Sequence, residues 1–274
     1  IKFYESKIKL IPDFFNASVF KSYYNNRKAK VITSFSMFYD LENPINFARD
    51  IHSILDDNGI WVFEQSYMPT MLKKNSFDTI CHEHLLFYSL KQIIWILKEA
   101  NLKVIDVEFN DINGGSFSVK ASKKISKFEP NTEIIDSIID EEKKLISLGL
   151  SAYKSFFNRI NKEKIALLNF LEKCKLEGKT VGALGASTKG NVLLQYYNIN
   201  EKSIYAVGEV NPDKFGCYTP GTLIPIISES ELLSSEPDYI LILPWHFRSF
   251  FERLNSLKGR SIIFPLPKFE IIKL

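Results

Sequence analysis

The chain has 274 residues, of which 45% are hydrophobic and 24% charged; this globular composition excludes a disordered tail and a fibrous repeat. Its 35 basic and 32 acidic residues leave a net charge of +3, which is too balanced for a protein that wraps nucleic acid. No apolar run reaches the roughly 18 residues of a membrane span, so we expect neither a membrane partner nor a nucleic-acid partner.

The three cysteines, Cys81, Cys174 and Cys217, are odd in number and widely spaced. They do not predict a disulfide scaffold, and they favour a reducing compartment, the cytoplasm. We expect no signal peptide, since no leader-like apolar stretch comes before the first strand candidate. The first residue is Ile1 rather than Met, which indicates a chain that begins inside a longer protein.

The first third of the chain alternates apolar runs with amphipathic stretches. Apolar runs predict strands at residues 8–11, 30–34, 60–63, 102–108 and 116–121. Helical spacing predicts helices at residues 45–55 and 90–100, the first ended by Asp56-Asp57-Asn58-Gly59 with Gly59 at the C-cap. This β-α-β rhythm predicts an α/β fold with a doubly wound sheet.

Residues 130–178 have long helical periodicity with few turn signals, which predicts two helices. A second α/β unit follows, with strands at 180–184, 204–210, 238–243 and 261–264 and a helix at 191–197. We therefore expect two Rossmann-like parallel-sheet domains, residues 1–125 and 179–274, joined by a helical segment at 126–178.

The densest group of reactive side chains is the Cys-His-Glu-His run at residues 81–84. In an extended segment His82 and His84 share one face, and Cys81 and Glu83 share the other. Histidine is the natural proton shuttle near neutral pH, so the run is a candidate acid–base site. A loop of surface histidines is the alternative. A metal site is the least favoured interpretation, because no second ligand motif is present and we expect no metal.

A second candidate site is the glycine-rich loop at residues 182–190, between a strand and a helix. Its backbone N–H groups and Lys189 suit an anion, and Glu209 and Asn211 follow the next strand, where Rossmann-like folds place a ribose-binding carboxylate. A plain tight turn explains the loop equally well. It matches neither a Walker loop nor a clean dinucleotide fingerprint, so an NAD-dependent oxidoreductase is a weak alternative.

Three further groups follow strand candidates in the first third. In open α/β sheets ligands bind beyond the carboxyl ends of strands, so converging ends would form one cleft. Singly, the aromatic residues among them are explained as ordinary core. The groups are Asp13-Phe14-Phe15, Ser34–Asp40 and Glu64-Gln65-Ser66-Tyr67.

Together these segments resemble the S-adenosylmethionine-dependent sugar C-methyltransferases, which act on nucleotide-diphosphate deoxysugars. The resemblance covers almost the whole chain in order and is most specific at the His-Glu-His and Asn-Gly-Gly-Ser blocks. The matching stretches are VITSFSMFYDLENP (31–44), GIWVFEQSYMPTML (59–72), FDTICHEHLLFYSL (77–90), NGGSFSV (113–119), GALGASTKGN (182–191), GEVNPDKFGCYTPGT (208–222) and LILPWHF (241–247).

The resemblance implies three parts: a zinc-binding module, a methyl-donor-binding Rossmann domain and a C-terminal Rossmann-like domain. This chain starts partway into the second part, so the zinc module and the first part of the donor domain are expected upstream of Ile1.

The resemblance also implies residue roles. His84 would be the catalytic base that forms an enolate, with Glu83 and Cys81 beside it at the sugar. S-adenosylmethionine would contact Asp13, Phe14, Ser36 and Met37. The nucleotide-linked sugar would contact Asp40, Glu64, Tyr67, His82, Gly115, Ser116, Lys189, Glu209 and Asn211, with Lys189 at the diphosphate.

Two positions depart from the family pattern, which often has tyrosine at Cys81 and histidine at Asp40. Methyl transfer to oxygen or nitrogen of another small acceptor therefore stays an alternative, as does a non-catalytic sugar-nucleotide-binding protein. The expected role is deoxysugar or polysaccharide biosynthesis, by a monomer or weak dimer.

Overall fold

A computed structural model describes residues 8–25 and 27–274 of the chain. Helices and strands alternate over most of its length, and the α/β class expected from the sequence is confirmed. The helices are α1 (Ala17–Tyr24), α2 (Pro44–Ile54), α3 (Met68–Lys73), α4 (Leu90–Glu99), α5 (Thr132–Ser147), α6 (Leu150–Leu176), α7 (Thr188–Tyr197), α8 (Glu229–Ser234) and α9 (Arg248–Phe251). The strands are β1 (Ala29–Phe35), β2 (Leu55–Ser66), β3 (Leu102–Asn110), β4 (Ser116–Lys123), β5 (Val181–Leu184), β6 (Val207–Glu209), β7 (Ile226–Ser228), β8 (Tyr239–Ile242), β9 (Ser261–Phe264) and β10 (Glu270–Lys273).

The chain divides into two compact units that are not continuous in sequence. The first contains the described residues up to Gln65 together with Leu90–Glu108 and Ser118–Ile139. The second contains Ser66–Ser89, Phe109–Phe117 and Asp140–Leu274. The His-Glu-His and Asn-Gly-Gly motifs, although they lie in the first half of the sequence, thus belong to the second unit.

The sheet associated with the first unit has the strand order β1-β2-β4-β3, and β1 runs parallel to β2. α2 packs against α1 and α4. Asn43 begins α2, because its side-chain oxygen accepts the Asn46 N–H at 3.0 Å. The core is aromatic: the ring of Phe38 lies 5.6 Å from Trp61 and 5.3 Å from Phe63, and all three are buried.

Two of the expected elements of the first unit are wrong. Residues 8–11 form no strand, and Ile8 is exposed; the segment is irregular up to the N-cap of α1. Gly59 is not a helix C-cap, because α2 ends at Ile54 and β2 begins at the next residue. Glycine is needed there for close packing, since a Cβ atom at Gly59 would lie 2.9 Å from the carbonyl oxygen of Ala29.

The second unit contains a six-stranded sheet in the order β10-β9-β8-β5-β6-β7, parallel except for β10. Its central strands, β5 and β8, are buried throughout except at Tyr239, a pattern typical of parallel sheets covered on both faces. Leu193, Leu241 and Ile263 are wholly buried, and each such side chain contributes roughly 1.5–3 kcal/mol to folding. The two helices expected at 130–178 are confirmed as α5 and α6.

Candidate active site

The His-Glu-His segment is a turn and not the extended segment in which His82 and His84 would share one face. A short 3-10 helix, Phe77–Thr79, leads into it, and the His84 N–H donates to the Cys81 carbonyl at 3.2 Å. The side chains of His82 and Glu83 are 86% and 58% exposed, with 4.0 Å between Nε2 and Oε1. The turn therefore separates the two histidines, with His82 towards solvent and His84 half-buried.

The imidazole of His84 is oriented by the backbone just before it. Its Nδ1 lies 2.7 Å from the carbonyl oxygen of Thr79. A carbonyl oxygen only accepts hydrogen bonds, so Nδ1 carries the proton and the lone pair of the neutral ring is on Nε2. This tautomer is the one that a base acting through Nε2 requires.

The Asn-Gly-Gly loop is held tightly in the same unit. The Gly115 carbonyl accepts the Tyr67 N–H at 3.1 Å, and the Ser116 hydroxyl donates to the Ile112 carbonyl at 2.9 Å. Gly115 has φ of +133°, and a Cβ atom there would overlap the side chain of Thr70. Only glycine fits this position, because the backbone conformation and the space both exclude a side chain.

Lys189 is directed into the second unit. Its Nζ donates to the Asn113 carbonyl at 2.7 Å and lies 3.6 Å from a carboxylate oxygen of Asp78. The Trp245 indole N–H donates to the same oxygen of Asp78 at 2.8 Å. Asp78 has no exposed surface, and burial raises its pKa while burial lowers that of Lys189, so each charge depends on the other.

His246 follows Trp245 and is the second partly buried histidine of this region. Its Nδ1 is buried without a hydrogen-bond partner in the described part of the chain. Burial, together with the charge of Lys189, lowers its pKa from 6.5 to about 3. His246 is therefore neutral at physiological pH.

The side chain of Tyr67 contacts a buried carboxylate and not the His84 turn. Its hydroxyl donates to the carboxylate of Glu142 at 2.7 Å, and both residues are buried. Burial and this carboxylate raise the pKa of the Tyr67 hydroxyl. The pair lines a cavity of about 770 Å³ whose walls also include Thr70 and Arg159.

The glycine-rich loop makes a strand-to-helix turn. The Ser187 hydroxyl accepts the Gly190 N–H at 3.1 Å and begins α7. At the end of β6, Glu209 accepts the N–H groups of Val210 and Asn211 at 2.8 and 3.1 Å. Burial acts to raise the pKa of Glu209, but these two donors and Lys214 outweigh it and lower that pKa, so Glu209 is a fixed carboxylate.

The residues expected at the methyl donor lie in the first unit. Ser36 and Met37 follow β1 directly, and the Ser36 N–H donates to the carbonyl of Glu64 on the neighbouring strand at 2.8 Å. Asp40 ends the short 3-10 helix Phe38–Asp40 that comes next. The carboxyl ends of β1 and β2 thus bring these side chains to one edge of the sheet, as ligand sites in α/β folds require.

The segment that carries Asp13 and Phe14 is anchored near the same edge. The neighbouring Phe15 ring lies 5.1 Å from Phe47, and Phe47 lies 6.0 Å from Phe38. The side chain of Phe14 is 91% exposed. Contacts of Asp13 and Phe14 with the methyl donor stay a prediction.

Within residues 8–25 and 27–274, no group of three or more His, Cys, Asp or Glu side chains is arranged to hold a metal ion. None of the helices in this part of the chain is long and apolar enough to cross a membrane.

The sequence did not single out Asp78 or Trp245 as functional residues, although both lie inside matched stretches. The available signal was an acidic residue between Phe77 and Thr79, in a segment that is otherwise buried. A carboxylate in such a place must have partners elsewhere in the chain, and those partners become visible only in three dimensions.

Comparison with known proteins agrees with this architecture. Residues 111–267 match the family model described as the C-methyltransferase C-terminal domain, and residues 4–107 match a methyltransferase domain. Because the first match covers more than half of its length, the chain belongs to the family of C-methyltransferases that carry this C-terminal domain.

A curated relative supports the same class. The C-methyltransferase NovU of Streptomyces niveus is 28% identical over 235 residues, which are 81% of this chain and 55% of that protein. The chain therefore spans about half the length of the curated relative that it matches. A solved structure described as "A Pericyclic Reaction enzyme" overlaps weakly, with 12% identity and a TM-score of 0.31 over 35% of this chain and 27% of its own.

Proposed function

We propose that this chain is the catalytic part of an S-adenosylmethionine-dependent enzyme that methylates a carbon next to the ketone of a nucleotide-linked sugar. The observation that carries the proposal is the hydrogen bond between His84 Nδ1 and the Thr79 carbonyl at 2.7 Å, in a chain of the C-methyltransferase family. This hydrogen bond fixes the orientation of the imidazole ring and leaves Nε2 as the nitrogen that can accept a proton.

Carbon methylation needs such a base because a carbon next to a ketone becomes nucleophilic only after its proton is removed. His84 Nε2 accepts that proton, and the Thr79 carbonyl stabilises the imidazolium that results. S-adenosylmethionine, when bound, supplies an electrophilic methyl group. Glu83 and Cys81 lie in the same turn, and we assign them contacts with the sugar.

The remaining roles are those that the family resemblance implies. Asp13, Phe14, Ser36 and Met37 are proposed to hold the methyl donor. We assign the sugar nucleotide to Asp40, Glu64, Tyr67, His82, Gly115, Ser116, Glu209 and Asn211. Lys189 is proposed to donate a further N–H to the diphosphate; an affinity for the sugar nucleotide unchanged by Lys189→Met would remove it from this role.

The test uses the full-length protein with ¹³C-methyl-labelled S-adenosylmethionine and a thymidine-diphosphate-linked 4-keto-6-deoxyhexose. We expect a labelled methyl group bonded to carbon, identified by its carbon–carbon coupling and chemical shift. A label bonded to oxygen would support the alternative of methyl transfer to a hydroxyl. Absence of any incorporation, with the sugar nucleotide still bound, would favour a non-catalytic binding protein.

A further inference from the structure

A buried carboxylate joins three segments of the second unit that are far apart in the sequence. Asp78 belongs to the 3-10 helix before the His84 turn, and its Oδ2 accepts the indole N–H of Trp245 at 2.8 Å. The same oxygen faces Lys189 Nζ at 3.6 Å, and Lys189 in turn donates to Asn113 at 2.7 Å. Asp78 is thus the common partner of α7 and of the segment after β8.

Burying this ion pair adds little net stability, so its main effect is on the positions of the segments that carry it. Removing two charges from water carries a penalty that their attraction often only balances, and apolar residues of similar size are usually at least as stabilising. A buried ion pair does, however, fix the positions of the elements that carry it. The second oxygen of Asp78 has no hydrogen-bond partner within the described residues, so the charge is held mainly through one side.

The segment fixed by Asp78 is the one that orients His84. Thr79 follows Asp78 directly, and its hydroxyl donates to the Ser76 carbonyl at 2.7 Å. The Thr79 carbonyl accepts the Cys81 N–H at 3.1 Å and His84 Nδ1 at 2.7 Å. A displacement of this 3-10 helix would move the Thr79 carbonyl, which accepts the hydrogen bond from His84 Nδ1.

We propose that Asp78, held by Lys189 and Trp245, is a positioning residue that fixes the tautomer and direction of His84 through the Thr79 carbonyl. The inference rests on the proposed function, because His84 matters only if it is the catalytic base. The orientation of His84 is a property of the free protein, so the inference is testable without methyl donor or sugar.

The experiment is ¹⁵N–¹H correlation NMR of the full-length protein labelled only at histidine, at a pH where the imidazoles are neutral. The chain has four histidines, so His84→Gln identifies the His84 signals by their loss. The ¹⁵N shifts then report which ring nitrogen carries the proton. In the wild type we expect the Nδ1–H form, and a ring that is mainly Nε2–H would overturn the inference.

Two variants probe the connection to Asp78. Asp78→Asn removes the charge and keeps the shape, and Trp245→Phe removes one indole N–H and keeps an aromatic ring. In each we expect a loss of the Nδ1–H form of His84 and the appearance of the Nε2–H form, with unchanged far-ultraviolet circular dichroism. Because Trp245→Phe is the milder change, it decides the matter if Asp78→Asn does not fold.

Asp140→Asn is the matched control, since it removes an exposed carboxylate that pairs with Lys143 in the same unit. It should leave the His84 signals as in the wild type. Wild-type signals in folded Asp78→Asn and Trp245→Phe would overturn the inference. If the two variants show the expected tautomer changes but the wild type transfers no methyl group, only the proposed function is contradicted.

Discussion

The ammonium group of Lys189 lies 3.6 Å from a carboxylate oxygen of Asp78, a residue with no exposed surface. A carboxylate in this position is stable as an anion only while the cation stays beside it. The stability of the second unit therefore depends on this buried ion pair as well as on its sheet.

Removing the cation alone should be strongly destabilising. We expect Lys189→Met to lower the free energy of unfolding by about 3–5 kcal/mol, since an unpaired carboxylate is left buried. Urea unfolding followed by circular dichroism measures the change in the free energy of unfolding. The double variant, Lys189→Met with Asp78→Asn, should recover part of the loss, because the unpaired buried charge is then gone. A double variant no more stable than Lys189→Met would show that the two charges are not coupled.

A side chain at Gly115 should disrupt the Asn-Gly-Gly loop. Gly115→Ala has to adopt φ of +133° and overlaps Thr70, so we expect a loss of more than about 2 kcal/mol. Gly178→Ala is the matched control: its φ of +67° is also positive, but beyond its chain neighbours no atom lies within 4 Å of the added Cβ. Its loss, about 1 kcal/mol, comes from backbone strain alone. Equal losses in the two variants would contradict the packing argument.

Burial of His246 makes stability depend on pH. The pKa of His246 is about 3 in the folded chain, whereas an unburied histidine, as in the unfolded chain, has a pKa of 6.5. Between these two pH values the unfolded chain therefore binds the proton more readily than the folded chain. Its stabilising contribution is fully present above pH 6.5 and is lost as the pH falls towards 3, at up to about 1.4 kcal/mol per pH unit.

His246→Gln should remove that part of the pH dependence, measured as the urea midpoint across the same pH range. His82→Gln is the comparison, because the His82 side chain is 86% exposed. A pH dependence that is unchanged in His246→Gln would mean that other groups cause it.

Loss of the Tyr67 hydroxyl should weaken the second unit as well. Tyr67→Phe takes away a donor 2.7 Å from the buried Glu142 carboxylate, at an expected cost of about 1–3 kcal/mol. Tyr153→Phe, at a residue that is 50% exposed, should change the urea midpoint little. Similar midpoints for the two variants would indicate that Glu142 gains a replacement partner.

The sequence predicted the regular elements well where they have a strong local signal. α2 is an example, with apolar residues at helical spacing behind an Asn43 cap, and β5 and β8 are continuous apolar runs. It failed at residues 8–11, because a short apolar run becomes a strand only if a partner strand is available. It also failed at Gly59, because close approach to Ala29 is a tertiary contact that the sequence does not display.

The residue types of the candidate site were proposed from the sequence and stay a prediction, whereas their geometry comes from the structure. In an extended segment His82 and His84 would share one face, but the turn that begins at Cys81 separates them. Partners such as Asp78 and Trp245 are 167 positions apart in sequence, so no local pattern can reveal that they are joined. Long-range pairing of buried polar groups is what the structure adds.

The most direct test of the central claim measures the proton-removal step alone. The full-length protein is incubated in D₂O with the thymidine-diphosphate-linked 4-keto-6-deoxyhexose and S-adenosylhomocysteine, and deuterium uptake next to the ketone is followed by NMR. We predict rapid uptake by the wild type and by His52→Gln, whose histidine lies on α2, and uptake about 10²–10⁴-fold slower for His84→Gln. Equal uptake by His84→Gln and the wild type, or none by the wild type, would contradict His84 as the base of a carbon methyltransferase.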